Sequence, residues 1–227
     1  MIPSSPPGAY LLAALVVLSV ALFTCGCLQP AAAATPFTYV AIGASDAVGV
    51  GAASPETEGW VPRLGTLLGP DVRVVNLGVN GSTLEQAIKE QLGPAVDAQP
   101  DLVTIWLAVN DLNARVPLQR YESELDQLLT DVSQDGRCVL VGNVPDLTRA
   151  PAYAGTDPQS LQTIIQSWNT VISSVVLRHG ARLVDLYARW QEMTERPELI
   201  SADGFHPSSA GYERLAAVFL EDYHRGC

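Results

Sequence analysis

Positive charge is scarce in this chain of 227 residues: it carries 13 Lys and Arg against 24 Asp and Glu, a formal charge of −11. Phosphate backbones are bound by basic surfaces, so a nucleic-acid partner is disfavoured, and so is electrostatic docking on anionic lipid. Lysine is almost absent. Lys89 is the only one, and it falls inside an amphipathic pattern. That excludes a P-loop, which requires a lysine after its glycine-rich turn, and a receiver-type phosphoacceptor site, which requires one after the fifth strand. Histidine and cysteine are few, at three and four. Cys25-x-Cys27 has no second pair at ligand spacing and no histidine nearby, so neither a zinc cluster nor any other metal site is expected. No Asp, Glu, Lys or Arg precedes Asp46, so the entire charge sits on the remainder. What is plentiful is apolar: 48% of residues are hydrophobic, enough for a sizeable core and incompatible with a disordered chain.

Residues 1–35 read as a processing segment. Leu11 to Phe23 is almost purely apolar, and Ala31-Ala32-Ala33-Ala34 supplies small residues for cleavage, as in a secretory signal. Two other outcomes stay open: an uncleaved anchor, because the run approaches the ~20 residues that span a bilayer, and a lipoprotein, because Gly26-Cys27 resembles a bacterial lipobox. All three place residues 36–227 outside the cytoplasm, secreted or membrane-anchored, with the membrane touched only through the leader or its lipid.

From Pro36 onward, short apolar runs alternate with helical stripes. The runs are Thr38–Gly43, Val72–Gly78, Leu102–Leu107, Cys138–Val141 and Arg182–Asp185. Near-continuous apolar runs of this length fit parallel strands buried on both faces. Between them, Trp60, Leu64, Leu67 and Leu68 share a helical face. So do Leu84, Ile88 and Leu92; Tyr121, Leu125, Leu128 and Val132; Leu161, Ile164, Ile165, Trp168, Ile172 and Val175; and Leu215, Ala216, Phe219 and Tyr223. Five alternations predict one α/β domain over 36–227, a three-layer α/β/α sandwich on a five-stranded parallel sheet. Ligands in such folds bind beyond the carboxyl ends of the strands.

Four groups of chemically capable residues fall at those ends. Ser45 lies in a sharp turn after the first strand, Gly81 in the loop after the second, Asn110 after the third, and Asp203 with His206 before the last helix. Singly, each has an ordinary reading: Ser45 as a helix N-cap, Asn110 as a turn cap, His206 before Pro207 as a turn residue. Together they supply what acyl transfer needs. Ser45 is the nucleophile, His206 the base, and Asp203 the group that orients its ring. The Ser45 and Gly81 N–H groups and the Asn110 amide are the oxyanion donors. Competing motifs are incomplete. Gly49-Val50-Gly51-Ala52-Ala53-Ser54 lacks the last glycine of a dinucleotide fingerprint, and Ala47 breaks the G-x-S-x-G nucleophile elbow.

These four blocks, in this order from Tyr39 to the C-terminus, resemble the SGNH, or GDSL, hydrolase family. The resemblance implies a flavodoxin-like SGNH fold with catalytic Ser45, Asp203 and His206 and an oxyanion hole at Gly81 and Asn110. It implies hydrolysis of small-molecule carboxylic esters through an acyl-enzyme, with no cofactor. Acyltransferase is the nearest enzyme alternative, and a catalytically silent cell-surface binding module is the alternative from another class. Three positions depart from the family pattern. Ala44 stands where an aspartate usually orders the loop, Asp46 where leucine is usual, and Ala108 where glycine is common. No segment resembles a lid domain. The long loops Asp46–Gly59 and Asn143–Pro158 are therefore expected to shape an open site for short-chain esters, acetylated sugars, thioesters or lysophospholipids. Asp111 is expected to order the third loop, and Asn76 and Gly78 to be turn residues.

With the leader removed or Cys27 lipidated, Cys138 and Cys227 are the remaining thiols. Export would favour their bridging, and the last helix runs toward the end of the sheet where Cys138 opens its strand. The competing reading, a buried thiol and a free chain end, weighs slightly more, since sequence does not fix where that helix lands.

Overall fold

In a computed structural model of the chain, which describes residues 1–3, 36–134 and 136–227, side chains of the first strand alternate between two cores. In β1 (Thr38–Gly43), Val40 and Ile42 enter one apolar cluster while Tyr39 and Ala41 enter the other. That period-2 alternation with both faces buried defines a strand inside a three-layer sandwich. The expected leader, with Cys27, lies outside the described residues apart from Met1–Pro3. Among the described residues no helix is long and apolar enough to cross a membrane.

After β1 come α1 (Ser45–Val48), α2 (Pro55–Glu58), α3 (Trp60–Leu68) and β2 (Arg73–Asn76), then α4 (Leu84–Glu90), α5 (Leu92–Asp97) and β3 (Leu102–Trp106). The chain continues through α6 (Ala108–Asn113), α7 (Leu118–Val132) and β4 (Cys138–Gly142), then α8 (Pro158–Arg178), β5 (Arg182–Val184), α9 (Leu186–Glu195) and α10 (Ser209–His224). The five strands are all parallel, in the order β2-β1-β3-β4-β5. The sandwich expected from the sequence is the one observed. One core holds residues of α4, α5, α7 and α8, and the other holds residues of α3, α9 and α10. In the second core Trp60 stacks on Phe219 with ring centroids 4.4 Å apart, clasping α3 to α10. Burying one such side chain is worth roughly 1.5–3 kcal/mol.

Three local expectations differ from the structure. β2 is an edge strand, exposed along most of its length, rather than a run buried on both faces. Leu67 is 51% exposed because the buried arc of α3 is centred on Val61, Leu64 and Gly65. Ile164 is 47% exposed at the edge of the α8 stripe. Cys138 and Cys227 are bridged, with Cα atoms 5.6 Å apart. α10 does land beside β4, so the reading the sequence weighed lower is the one the packing realises.

The strand order positions the site. The chain leaves β1 toward β2 on one side and returns to β3 on the other, so the loops that follow β1 and β3 diverge and open a crevice at their carboxyl ends.

Candidate active site

Ser45 opens the one-turn helix α1 directly beyond β1. Its Oγ lies 2.9 Å from His206 Nε2, and His206 Nδ1 lies 2.6 Å from Asp203 Oδ2. Residues 161 positions apart are thus joined in one relay. The turn that carries Asp203 and His206 is itself closed by hydrogen bonds. Ser201 N–H donates to the His206 carbonyl at 2.8 Å and Gly204 N–H to the Ser201 carbonyl at 3.0 Å. Asp203 Oδ1 accepts from Ser201 Oγ, Phe205 N–H and His206 N–H at 2.8–2.9 Å. Burial disfavours its charge, but the hydrogen bonds from His206, from the two N–H groups and from Ser201 outweigh that, and the carboxyl is held well below the usual carboxylate range. Asp203 is therefore ionised at neutral pH and fixes the ring so that Nε2 faces Ser45.

The Asp203–His206 turn rests on two supports. Gly51, at φ +98°, passes beneath it so closely that a Cβ there would lie 2.5 Å from the Pro207 carbonyl and 3.0 Å from His206 Cβ. On the other side, the loop after β4 folds into the short turns Leu147–Arg149 and Pro151–Tyr153. From it Ala152 N–H donates to the Gly204 carbonyl at 3.1 Å, and the Tyr153 ring packs against Phe205.

Three candidate donors near the carboxyl end of the sheet keep a hydrogen without a protein acceptor. Ser45 N–H and Gly81 N–H have no protein acceptor among the described residues. Gly81 sits at φ +75°, a left-handed conformation that glycine adopts without strain. Asn110, in α6, donates one Nδ2 hydrogen to the Ser82 carbonyl at 3.0 Å and keeps the other free. Asp111, fully buried, accepts Leu84 N–H at 3.0 and 3.2 Å, which ties α6 to the start of α4. Burial, reinforced by Glu124, pushes its carboxyl up to about 7 against the opposing Leu84 bond. The expected ordering role of Asp111 is thus given a partner.

The turn keeps its shape without a carboxylate at position 44. Asn76 Nδ2 donates to the Ala47 carbonyl at 2.6 Å, and Asn76 Oδ1 accepts Gly78 N–H at 3.0 Å. Asn76 is therefore a brace for α1 as well as a turn residue. Gln91, which the sequence reading passed over, bonds both backbone groups of Gly43. The signal for it was present: Ala87, Gln91 and Ala95 follow one helical face at spacings of four, with a polar residue at a core position. Asp46 forms no hydrogen bond to another side chain and lines a small recess with Ala44, Trp106, Leu107, Val109, Asn110 and Phe205. Burial, with the Asp203 charge adding and His206 and its own N–H opposing, pushes its carboxyl up to about 6.

Among the described residues no group of three or more His, Cys, Asp or Glu is placed to hold a metal ion. His179 contacts Asp126 at 3.0 Å at the end of α8, and neither it nor His224 joins the site.

Comparison with known proteins identifies the family and the fold. The family model described as GDSL-like Lipase/Acylhydrolase family matches residues 41–214. An acetylxylan esterase of Geobacillus stearothermophilus is 27% identical over 198 residues, 76% of this chain and 87% of that protein. The crystal structure of a lipase/acylhydrolase from Enterococcus faecalis superposes with a TM-score of 0.63 at 26% identity, covering 82% of this chain and 94% of that one. An SGNH-hydrolase family esterase shares the fold with a TM-score of 0.60 at 21% identity, over 86% of this chain and 98% of its own.

Proposed function

This chain belongs to the GDSL-like lipase/acylhydrolase family and is an ester-hydrolysing enzyme, and from that premise we propose that it is an exported serine hydrolase acting on small carboxylic esters through a Ser45–His206–Asp203 relay. The single observation that carries this reading is the continuous hydrogen-bonded path from Asp203 through His206 to Ser45, at 2.6 and 2.9 Å.

Ser45 Oγ attacks the ester carbonyl carbon as His206 Nε2 takes its proton. The negative charge of the tetrahedral intermediate is met by Ser45 N–H, Gly81 N–H and the free Asn110 Nδ2 hydrogen, donors already fixed before reaction. His206 returns the proton to the departing alcohol, leaving the acyl group on Ser45. Water, deprotonated by His206, then attacks that acyl-enzyme, and the acid is released as His206 returns the proton to Ser45 Oγ. Asp203 stays ionised throughout and stabilises the imidazolium.

The recess flanking Ser45 is small and carries the Asp46 carboxyl, which favours a short acyl group over a long aliphatic one. Acetate esters of a carbohydrate are the substrate class we favour, in line with the acetylxylan esterase relative. Residues 1–35 act as the export leader, cleaved or lipidated at Cys27, and residues 36–227 form the hydrolase domain. The Cys138–Cys227 bridge supports an oxidising destination.

The test is turnover of p-nitrophenyl esters from acetate to octanoate, alongside acetate release from acetylated xylan. Activity falling with acyl length, together with acetate release, is expected. No turnover of any ester by folded protein would overturn the reading.

A further inference from the structure

We propose that Gln91 is a positioning residue for the ester-hydrolysing reaction: its side-chain amide sets the placement of the Ser45 turn relative to the loop of Gly81 and, through it, to Asn110. The inference rests on the role of Ser45 proposed above.

The reason lies in how the sheet ends. β1 and β2 pair through Ala41 and Asn76. The next ladder bond, Leu77 N–H to the Ala41 carbonyl, is 2.9 Å. One more bond on that side, Val79 N–H to the Gly43 carbonyl at 3.2 Å, precedes the loop that carries Gly81. Gly43, two residues before the nucleophile, is left with an N–H that no strand carbonyl reaches. Gln91 Oε1 accepts that N–H at 2.9 Å, and Gln91 Nε2 donates to the Gly43 carbonyl at 3.0 Å. A primary amide thus caps the end of β1, taking the N–H that the strand ladder leaves unpaired and sharing the Gly43 carbonyl with Val79 N–H.

The second hydrogen of the same Nε2 goes to Ser82 Oγ at 3.2 Å. Ser82 follows Gly81, and its carbonyl accepts Asn110 Nδ2 at 3.0 Å. One buried side chain therefore links the nucleophile's strand end, the loop of the oxyanion glycine and, through Ser82, the oxyanion asparagine. Gln91 is 1% exposed, and its acceptor and both its donors are used. A buried amide left unpartnered is costly. Holding this one buried at the junction of α4 and α5, between buried Ala87 and Ala95, is thus a demand on the sequence that simple core packing would not make.

Transition-state contacts are sensitive to displacements well under 1 Å, whereas ground-state binding of a small ester at an open site is not. Gln91 should therefore act on kcat rather than KM. The experiment measures steady-state hydrolysis of p-nitrophenyl acetate, with thermal unfolding, for wild type and for Gln91→Met, Ser82→Ala, Asn110→Ala, Gln91→Met/Asn110→Ala and Ser45→Ala. Gln91→Met is expected to lower kcat by about 10–100-fold, with KM within about twofold. Ser82→Ala, which removes only the outer bond, should lower kcat by a smaller factor. The double variant should lose less than the product of its single losses, because both changes disturb one loop.

Ser82→Ala keeps the proposal testable if Gln91→Met fails to fold. Wild-type kcat in whichever of the two variants folds, losses confined to KM, or losses that multiply fully with Asn110→Ala would each overturn the role of Gln91. If Ser45→Ala kept its turnover, the nucleophile assignment itself would fall, an outcome distinct from failure of the Gln91 proposal.

Discussion

Asp203 Oδ2 and His206 Nδ1 lie 2.6 Å apart across three positions of chain, within a turn whose N–H groups also point at the Asp203 carboxylate. The turn thus builds the Asp203–His206 hydrogen bond into its own backbone. Because those bonds hold the carboxyl well below the usual range, Asp203 stays charged across pH 5–8. Asp203→Asn keeps an acceptor for the N–H groups but removes the charge that favours the imidazolium. We expect kcat at pH 7.5 to fall by roughly 10⁴-fold with the fold retained. Stopped assays of purified variant with matched circular dichroism decide it, and a loss under tenfold would remove Asp203 from the relay.

Asn110→Ala deletes the Nδ2 hydrogen that the Ser82 carbonyl leaves free, the proposed oxyanion donor. One oxyanion donor is typically worth about 10²–10³ in kcat, so a drop of that size with little change in KM is expected on p-nitrophenyl acetate. An effect confined to KM would make Asn110 a ground-state binding residue.

Asp46 gives a stability signature with a definite sign. Its carboxyl is pushed up to about 6 by burial, above the unfolded value near ~4. Between those values the folded state holds a proton that the unfolded chain has released, so stability falls as pH rises through the window. Asp46→Asn removes that penalty. Its Tm should exceed wild type by about 2–8 °C at pH 8, and the gain should vanish toward pH 4. Calorimetry across pH 4–8 reads it, and a pH-independent difference would show that the carboxyl is not enclosed as described.

The Cys138–Cys227 bridge closes a sequence separation of 89 residues. On the chain-entropy account such a loop stabilises by about 4–5 kcal/mol. Urea unfolding with and without reductant should show a loss approaching that figure. kcat should not change, because Cys138 opens β4 at the end of the sheet opposite the crevice. Mass spectrometry after alkylation checks the premise: both thiols labelled without reductant would mean no bridge.

What the sequence made legible followed from two regularities. Buried parallel strands read as apolar runs, and chemistry in such folds sits where the runs stop. Ser45, Gly81, Asn110, Asp203 and His206 could therefore be picked out by position; the structure hydrogen-bonds Asp203 to His206 and His206 to Ser45, and ties Asn110 to the Ser82 carbonyl beside Gly81. The remainder depended on packing that no local pattern encodes. The exposure of β2 follows from its place at the sheet edge, and Leu67 and Ile164 from where each helix touches the sheet. The landing of α10 beside β4 decided the disulfide. Gln91 and Asn76 looked like a helix residue and a turn residue because their partners, Gly43 and Ala47, are distant in sequence and present only backbone atoms. The missing carboxylate at Ala44 left open how the nucleophile's turn is held, and those two side chains supply the bracing.

The central claim is that Ser45 is the atom donor to the acyl-enzyme, and covalent labelling tests it most directly. Wild-type protein treated with diethyl p-nitrophenyl phosphate should release one equivalent of p-nitrophenol as its esterase activity is lost. Peptide mass spectrometry should place a single diethylphosphoryl group on Ser45, and Ser45→Ala should take up none. Inactivation with the label on another residue, or equal labelling of Ser45→Ala, would contradict the account.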